Sequence, residues 1–153
     1  MRLVQARATF EAPLHEAEAL WYDTSRWLAW VPGLERVEEV GAGWPAVGGR
    51  VRWQSVPAGR GRVVERVLEH EPLVGQTVEV EDDSIQGQQT VSFEPEDGQV
   101  VVVLSLAYQL KQRSLLMPVV DLLFIRGAMR RALEQMLSRF GAELEASRRP
   151  GVG

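Results

Sequence analysis

The chain has 153 residues, of which 45% are hydrophobic and 25% are charged, and these values are typical of one compact domain. It contains no cysteine, so disulfides, thiolate metal sites and cysteine nucleophiles are excluded. His15 and His70 are its two imidazoles, which is too few for a histidine-rich metal site, and we expect no metal and no cofactor. The net charge of −4 has the wrong sign for a protein that holds phosphate backbones, so we expect no nucleic-acid partner.

No stretch of the sequence has the apolar character of a signal peptide or a membrane span. The most apolar stretches are residues 100–108 and 115–125, and Pro118 and Asp121 interrupt the second. A span needs about 20 apolar residues. We therefore expect a cytoplasmic protein without integral membrane association.

The first third of the chain predicts one strand and two short helices. Apolar and polar residues alternate over residues 4–10, which is the period of a half-buried strand. Pro13 suits the first position of a helix that extends to about residue 22. A second short helix then contains Trp27 and Trp30, with Asp23, Thr24 and Ser25 as the alternatives for its cap.

Six further strands follow, separated by short connections rich in glycine, proline and aspartate. The predicted strands are Leu34 to Val40, Arg50 to Val56, Arg62 to Glu69, Gln76 to Glu81, Gln88 to Glu94 and Val100 to Leu110. Because parallel neighbours need crossovers of about a dozen residues or more, these short connections predict an antiparallel meander.

The last segment changes to a helical period, with apolar residues three or four positions apart. These residues are Leu122, Ile125, Met129, Leu133, Met136, Phe140 and Leu144. One long helix therefore runs from near Pro118 to near Ser147, which completes a single domain of residues 1–147, and residues 148–153 form a flexible tail. Gly127 costs this helix about 1 kcal/mol relative to alanine, so we expect strand backbone or a ligand to approach there.

The apolar face of the meander must be covered, and the long helix is the element able to cover it, so the sheet is expected to curve around that helix. Side-chain alternation predicts which residues of three strands face inward. They are Val51, Trp53 and Ser55 in one strand, Gln89, Val91 and Phe93 in another, and Val102, Leu104, Leu106 and Tyr108 in the last. The inward face of the fourth strand cannot be assigned in this way, because each of its faces mixes valine or leucine with charged residues.

This order of elements resembles the helix-grip fold of the START-like (SRPBCC) superfamily, in its polyketide cyclase/dehydrase and lipid-transport branch. The resemblance covers nearly the whole chain, and its fold class is α+β. The stretches that carry it are Phe10-Glu11-Ala12-Pro13 leading into Trp21, residues 27–34, residues 67–72 and residues 91–95. The resemblance implies a cavity between sheet and long helix that holds an apolar small molecule such as a lipid, quinone or polyketide.

The candidate pocket residues are the inward-facing side chains and those at the start of the long helix. They are Trp30, Trp53, Ser55, Gln89, Phe93, Leu104, Tyr108, Met117, Leu122 and Met129. Each has an ordinary alternative, as core filling for the apolar ones and as backbone hydrogen bonding for the polar ones.

Three functions remain open at this stage. The first is non-enzymatic binding of an apolar molecule, for transport or sequestration. The second is a cyclase or dehydratase that moves protons through His70, Tyr108 or Glu69, and that requires one of these groups to face the cavity. The third is a protein-interaction role, in which Val101 and Val103 form an outward apolar patch that supports a homodimer.

Overall fold

The structure is a computed structural model that describes residues 2–111 and 119–149. These residues form one antiparallel sheet, three α-helices and a short 3-10 helix at Thr24–Arg26. The strands are β1 (Arg2–Phe10), β2 (Leu34–Val40), β3 (Arg50–Ser55), β4 (Arg62–Glu71), β5 (Gly75–Glu81), β6 (Ile85–Glu96) and β7 (Gln99–Leu110). The helices are α1 (Leu14–Tyr22), α2 (Trp27–Trp30) and α3 (Val119–Arg148). The α+β helix-grip architecture predicted from the sequence is confirmed. Met1, residues 112–118, which include Met117 and Pro118, and the end of the predicted tail at 150–153 lie outside the described residues.

The seven strands follow one another across the sheet, except that β1 lies beside β7. Every pairing is antiparallel, and the order is β1-β7-β6-β5-β4-β3-β2. The long helix α3 packs against β1, β7, α1 and α2. The short helices between β1 and β2 therefore close one end of the space between sheet and α3.

Strand β6 begins at Ile85, three residues before the predicted start at Gln88. Gly87 explains the difference, because a side chain there would lie 2.1 Å from the carbonyl oxygen of Ala107 on β7. The glycine permits close approach of the two strands, whereas in the sequence it suggests a break.

A β-bulge in β4 determines which side chains of this strand face inward, a point that side-chain alternation left open. Val67 pairs with Val78, but the next partner, Thr77, pairs with Glu69, so β4 carries one extra residue. Before the bulge, Val63 and Val67 are buried on the inner face, and Glu65 lies on that face between them. Beyond the bulge His70 pairs with buried Gln76, and Glu69 is exposed.

Aromatic rings hold the C-terminal half of α3 against the closed end of the sheet. The ring centroids of Trp21 and Trp30 lie 4.8 Å apart, and Phe140 of α3 lies 5.1 Å from Trp21 and 5.0 Å from Trp30. Gly141 lets α3 meet Phe10 of β1, because a side chain at this glycine would lie 2.4 Å from the Phe10 ring. Aromatic contacts of this kind add about 0.5–1.5 kcal/mol each beyond their buried area.

The N-terminal half of α3 is held less closely. Phe124 is 69% exposed, whereas Leu133, Leu137 and Leu144 in the second half of the helix are buried. Gly127 is not a site of close approach, since a side chain there would meet only the flexible end of Arg131. The expectation that strand backbone approaches Gly127 is therefore wrong, and a close approach to β1 occurs at Gly141 instead.

Two surface expectations have clear outcomes in the structure. Val101 is 1% exposed and Val103 is partly buried, so these residues do not form the outward apolar patch on which the homodimer expectation rested. Among the described residues, no helix is long and apolar enough to cross a membrane.

Candidate functional site

A cavity of about 310 Å³ lies where the looser half of α3 passes over β6 and β7. Its wall combines apolar side chains from α3 and the sheet with a few polar groups from the β3–β4 and β5–β6 turns. The lining residues are Pro32, Gly59, Arg60, Asp82, Ser84, Ile85, Gln89, Leu106, Ala128, Met129, Ala132, Leu133 and Met136. We call this space the outer cavity.

A second, much smaller space of about 20 Å³ lies toward the closed end of the fold, and we call it the inner cavity. Four of the five tryptophans line it. The full set is Trp21, Trp27, Trp30, Val31, Trp53, Arg60, Glu65, Val80, Gln89 and Met136. Arg60, Gln89 and Met136 line both spaces, so the two cavities adjoin.

Glu65 brings a carboxyl group to the inner cavity. It lies opposite Val51 on β3 and Val80 on β5, and its Oε2 accepts a 2.8 Å hydrogen bond from Trp53 Nε1. Desolvation by the surrounding atoms raises the pKa of Glu65, and the Trp53 hydrogen bond and the Arg60 charge only partly oppose this rise. The side chain retains some accessible surface. Its position therefore favours the neutral acid more than an exposed position on the strand would.

The cation beside this site already has an anionic partner. Arg60 Nε lies 2.6 Å from Asp82 Oδ2, and its guanidinium carbon lies 5.4 Å from the centre of the Trp53 ring. Asp82 is buried, and its other oxygen accepts hydrogen bonds from the backbone N–H groups of Ser84 and Ile85 at 2.8 and 2.9 Å. The pair is therefore held in place by the β5–β6 turn.

Four buried donors lack a hydrogen-bond partner among the described residues, and they are Tyr22 Oη, Trp30 Nε1, Arg52 Nε and Tyr108 Oη. Trp30 and Tyr108 are almost completely buried, at 1% and 0% exposure. Most buried polar atoms in folded proteins are paired, since leaving one unpaired costs about 1–3 kcal/mol. The unpaired indole N–H of Trp30 is significant for the site because that residue lines the inner cavity.

Of the pocket residues predicted from the sequence, four line these cavities. Trp30 and Trp53 line the inner cavity, Met129 lines the outer one, and Gln89 lines both. Side-chain alternation predicts that Trp53 and Gln89 lie on the concave face of the sheet. The register with the neighbouring strands places both residues on that face.

The other predicted pocket residues lie elsewhere. Ser55 accepts a hydrogen bond from Gly61 N within the β3–β4 turn, which is the ordinary backbone role that the sequence left open. Phe93 packs against Trp21 and Tyr22, and Leu104 is fully buried in β7. Phe93, Leu104, Leu122 and Tyr108 are not in the wall of either cavity, and Met117 lies outside the described residues.

The three acid-base candidates do not meet at either cavity. The His70 ring packs edge-on against Tyr22, with centroids 5.3 Å apart, and Glu69 points to the outer face of the sheet. Burial, reinforced by the nearby Glu18 carboxylate, raises the pKa of Tyr22, so that phenol keeps its proton.

Sequence reasoning did not assign Glu65 and Arg60 to the site. A signal for Glu65 was present, because Val63 and Val67 share its side of the strand and two valines favour burial of that side. The bulge after Val67 hid the signal, since strict alternation places exposed Glu69 on the same face. Arg60 lies in a glycine-rich turn, where sequence predicts only a connection.

Two larger grooves flank the C-terminal end of α3. Charged residues are prominent in their walls, including the ion pair of Arg148 with Glu16. Within residues 2–111 and 119–149 no group of three histidine or acidic side chains could hold a metal ion. The outer cavity is therefore the candidate site for an apolar ligand.

Comparison with solved structures gives the same fold throughout the chain. A protein from Thermus thermophilus is 23% identical, with 97% of this chain and 100% of that chain covered and a TM-score of 0.74. The Zhui aromatase/cyclase from a Streptomyces species is 18% identical over 99% of this chain and 98% of that chain, with a TM-score of 0.78. A START superfamily protein from Mycobacterium smegmatis is 13% identical over 94% and 97%, with a TM-score of 0.74.

Sequence comparison identifies the family. No curated protein matches the chain at a significant level. A family model described as polyketide cyclase / dehydrase and lipid transport matches residues 1–145. This match covers every strand and nearly all of α3. The chain therefore belongs to the polyketide cyclase/dehydrase and lipid transport family.

Proposed function

We propose that this protein binds an apolar small molecule, such as a lipid, quinone or polyketide, in the outer cavity between the sheet and α3. The observation that carries the proposal is the space of about 310 Å³ beneath the looser half of the helix. Its size lies at the lower end of the roughly 300–1,000 Å³ typical of small-molecule sites. The family and the fold fit binding of a hydrophobic ligand.

The chemistry of the wall supports an apolar occupant. The apolar side chains of the wall include Ile85, Leu106, Met129, Leu133 and Met136, and the methionines can adjust to ligands of different shape. Removing apolar ligand surface from water contributes about 25 cal/mol per Å². Binding can therefore be driven by burial alone, with the polar groups selecting orientation.

A cyclase or dehydratase reaction in the same cavity is the alternative. It needs an acid or base within hydrogen-bond reach of the ligand. His70 and Glu69 lie away from the cavity wall, and Tyr108 is not among the residues that line it. We therefore propose binding, for transport or sequestration, rather than catalysis through these three residues.

Titration with N-phenyl-1-naphthylamine, an uncharged apolar dye that fluoresces when it leaves water, tests the proposal. The Ala132→Trp variant places a large ring in the outer cavity from a position on the exposed side of its wall, so the core stays intact. We expect the wild-type protein to bind the dye and this variant to bind it about ten-fold or more weakly, a loss of about 1.4 kcal/mol or more.

The matched control is Ser138→Trp, which adds the same ring to an exposed position of α3 outside the cavity wall. Its affinity should equal that of the wild-type protein. Absence of dye binding by the wild type, or equal binding by the Ala132→Trp variant, contradicts the proposal.

A further inference from the structure

The inner cavity differs from the outer one in size and in chemistry. Its volume of about 20 Å³ is enough for one water molecule or one ligand oxygen atom, since a single water needs about 10–15 Å³. It adjoins the outer cavity through Arg60, Gln89 and Met136. A ligand in the outer cavity can therefore place one small polar group there, and nothing larger.

Trp53 determines how Glu65 presents its carboxyl group to that space. The indole N–H of Trp53 donates to Oε2, so this oxygen acts as an acceptor. In the neutral acid the proton is then carried by Oε1, which can donate it to an acceptor atom in the inner cavity. Trp30 Nε1 is a second donor at the same cavity and has no partner among the described residues.

The charged groups around Glu65 do not favour binding of an anionic ligand in the inner cavity. Arg60 faces it from the β3–β4 turn and is already paired with Asp82, and the residues that α2, α3 and β5 contribute to the inner cavity are uncharged. A carboxylate ligand would bury a second negative charge near Asp82, and Arg60, the cation among the described residues that line the inner cavity, is already paired with Asp82. Burying such a charge costs several kcal/mol.

We propose that Glu65, Trp53 and Trp30 form a head-group subsite that binds the carbonyl oxygen of an uncharged apolar ligand and discriminates against carboxylates. This inference rests on the proposed function and names its ligand class. The ligand is a ketone, a quinone or a comparable neutral carbonyl compound. Glu65 Oε1–H and Trp30 Nε1–H donate to its oxygen, and its apolar body fills the outer cavity.

Three naphthalenes of similar shape test the subsite by displacing N-phenyl-1-naphthylamine. They are 2-acetylnaphthalene, which carries a neutral carbonyl, 2-ethylnaphthalene, which has no oxygen, and 2-naphthoate, which is an anion. At neutral pH we expect the wild-type protein to bind the ketone about ten-fold or more tightly than the carboxylate. Equal or tighter binding of 2-naphthoate overturns the proposal.

Variants of the donors separate the subsite from the cavity as a whole. In Glu65→Leu and in Trp30→Phe, the ratio of ketone affinity to hydrocarbon affinity should fall about ten-fold, whereas Glu65→Gln should retain the ratio, because its amide N–H₂ can donate in place of the acid. An unchanged ratio in Glu65→Leu and Trp30→Phe overturns the subsite, because the ketone oxygen then gains nothing from either donor.

The pH dependence provides a test that does not need a disruptive variant. Rising pH should lower the ketone-to-hydrocarbon ratio in the wild type, because ionised Glu65 cannot donate, and it should leave the ratio of the Glu65→Gln variant constant. A wild-type ratio that stays constant from about pH 5 to pH 9 contradicts the proposal. If the dye itself does not bind, or binds equally to the Ala132→Trp variant, the proposed function fails instead.

Discussion

Glu65 is a carboxyl group on the inner face of a strand, and such a group is normally costly there. The structure offsets part of this cost by the hydrogen bond from Trp53 and by the charge of Arg60. The net effect is still a raised pKa. A group whose pKa is higher in the folded than in the unfolded chain stabilises the fold below the unfolded pKa, and this contribution disappears as pH rises through the folded value.

The raised pKa of Glu65 predicts the effect of Glu65→Gln on stability. The amide keeps the acceptor for Trp53 but cannot ionise, so at about pH 8 the variant should be more stable than the wild type, by about 1.4 kcal/mol for each unit by which folding raises the pKa. At about pH 4 the two free energies of unfolding should converge. Urea denaturation at both pH values measures the difference.

Glu69→Gln is the matched control, because it changes a carboxyl group on the exposed face of the same strand. Its effect on the free energy of unfolding should stay within about 0.5 kcal/mol at either pH. A Glu65→Gln variant that is no more stable than the wild type at high pH would show that Glu65 ionises in the folded protein without penalty.

Among the site residues that lie in strands, those in strands with regular alternation were predictable from sequence. Trp53 and Gln89 lie in strands whose inward faces could be assigned by parity, and both line the inner cavity. Glu65 could not be assigned, because a β-bulge after Val67 reverses which side chains of β4 face inward. A single sequence does not show where a strand contains such an extra residue. Arg60 depends on how a turn folds back over Trp53, which local patterning does not encode.

At the scale of elements, α3 combines a tightly packed half with a looser one, and its two internal glycines mark these halves. Gly141 lies against the Phe10 ring, whereas a side chain at Gly127 would meet only the flexible end of Arg131. Glycine lowers helix stability by about 1 kcal/mol relative to alanine in each case. Only at Gly141 does packing require it.

Substituting alanine at each glycine should therefore give opposite results. Gly127→Ala should raise the free energy of unfolding by up to about 1 kcal/mol through helix propensity. Gly141→Ala should lower it by about 1–3 kcal/mol, because the new methyl group would lie 2.4 Å from the Phe10 ring and force the helix away from β1. Thermal denaturation of both variants measures the contrast, and equal effects would contradict the assignment of a tight and a loose half.

The elements themselves were well predicted because their signals are strong and local. Helical periodicity over some 25 residues and short glycine- and proline-rich turns led to α3 and the meander. Strand ends such as Ile85 were missed, since Gly87 has a role in close packing against β7 that sequence does not distinguish from a turn. The contrast between Gly127 and Gly141 was also hidden, because a contact with Phe10 depends on tertiary packing.

At the scale of the whole molecule, the packing of the interior changes from one end of the sheet to the other. Aromatic side chains pack closely at one end, and α3 packs loosely at the other. The closed end is filled by Trp21, Trp30 and Phe140, the outer cavity beneath α3 is mainly apolar, and the inner cavity between them presents hydrogen-bond donors. The ligand is therefore expected to bind with its polar atom inward and its apolar body toward α3.

The most direct test is a crystal structure of the protein with 2-acetylnaphthalene bound. We expect the naphthalene rings between α3 and strands β6 and β7, with the ketone oxygen at hydrogen-bond distance, about 2.6–3.2 Å, from Glu65 and Trp30. Ligand density at another surface, a reversed orientation with the oxygen toward solvent, or an outer cavity closed by Met129 and Met136 would contradict this binding mode.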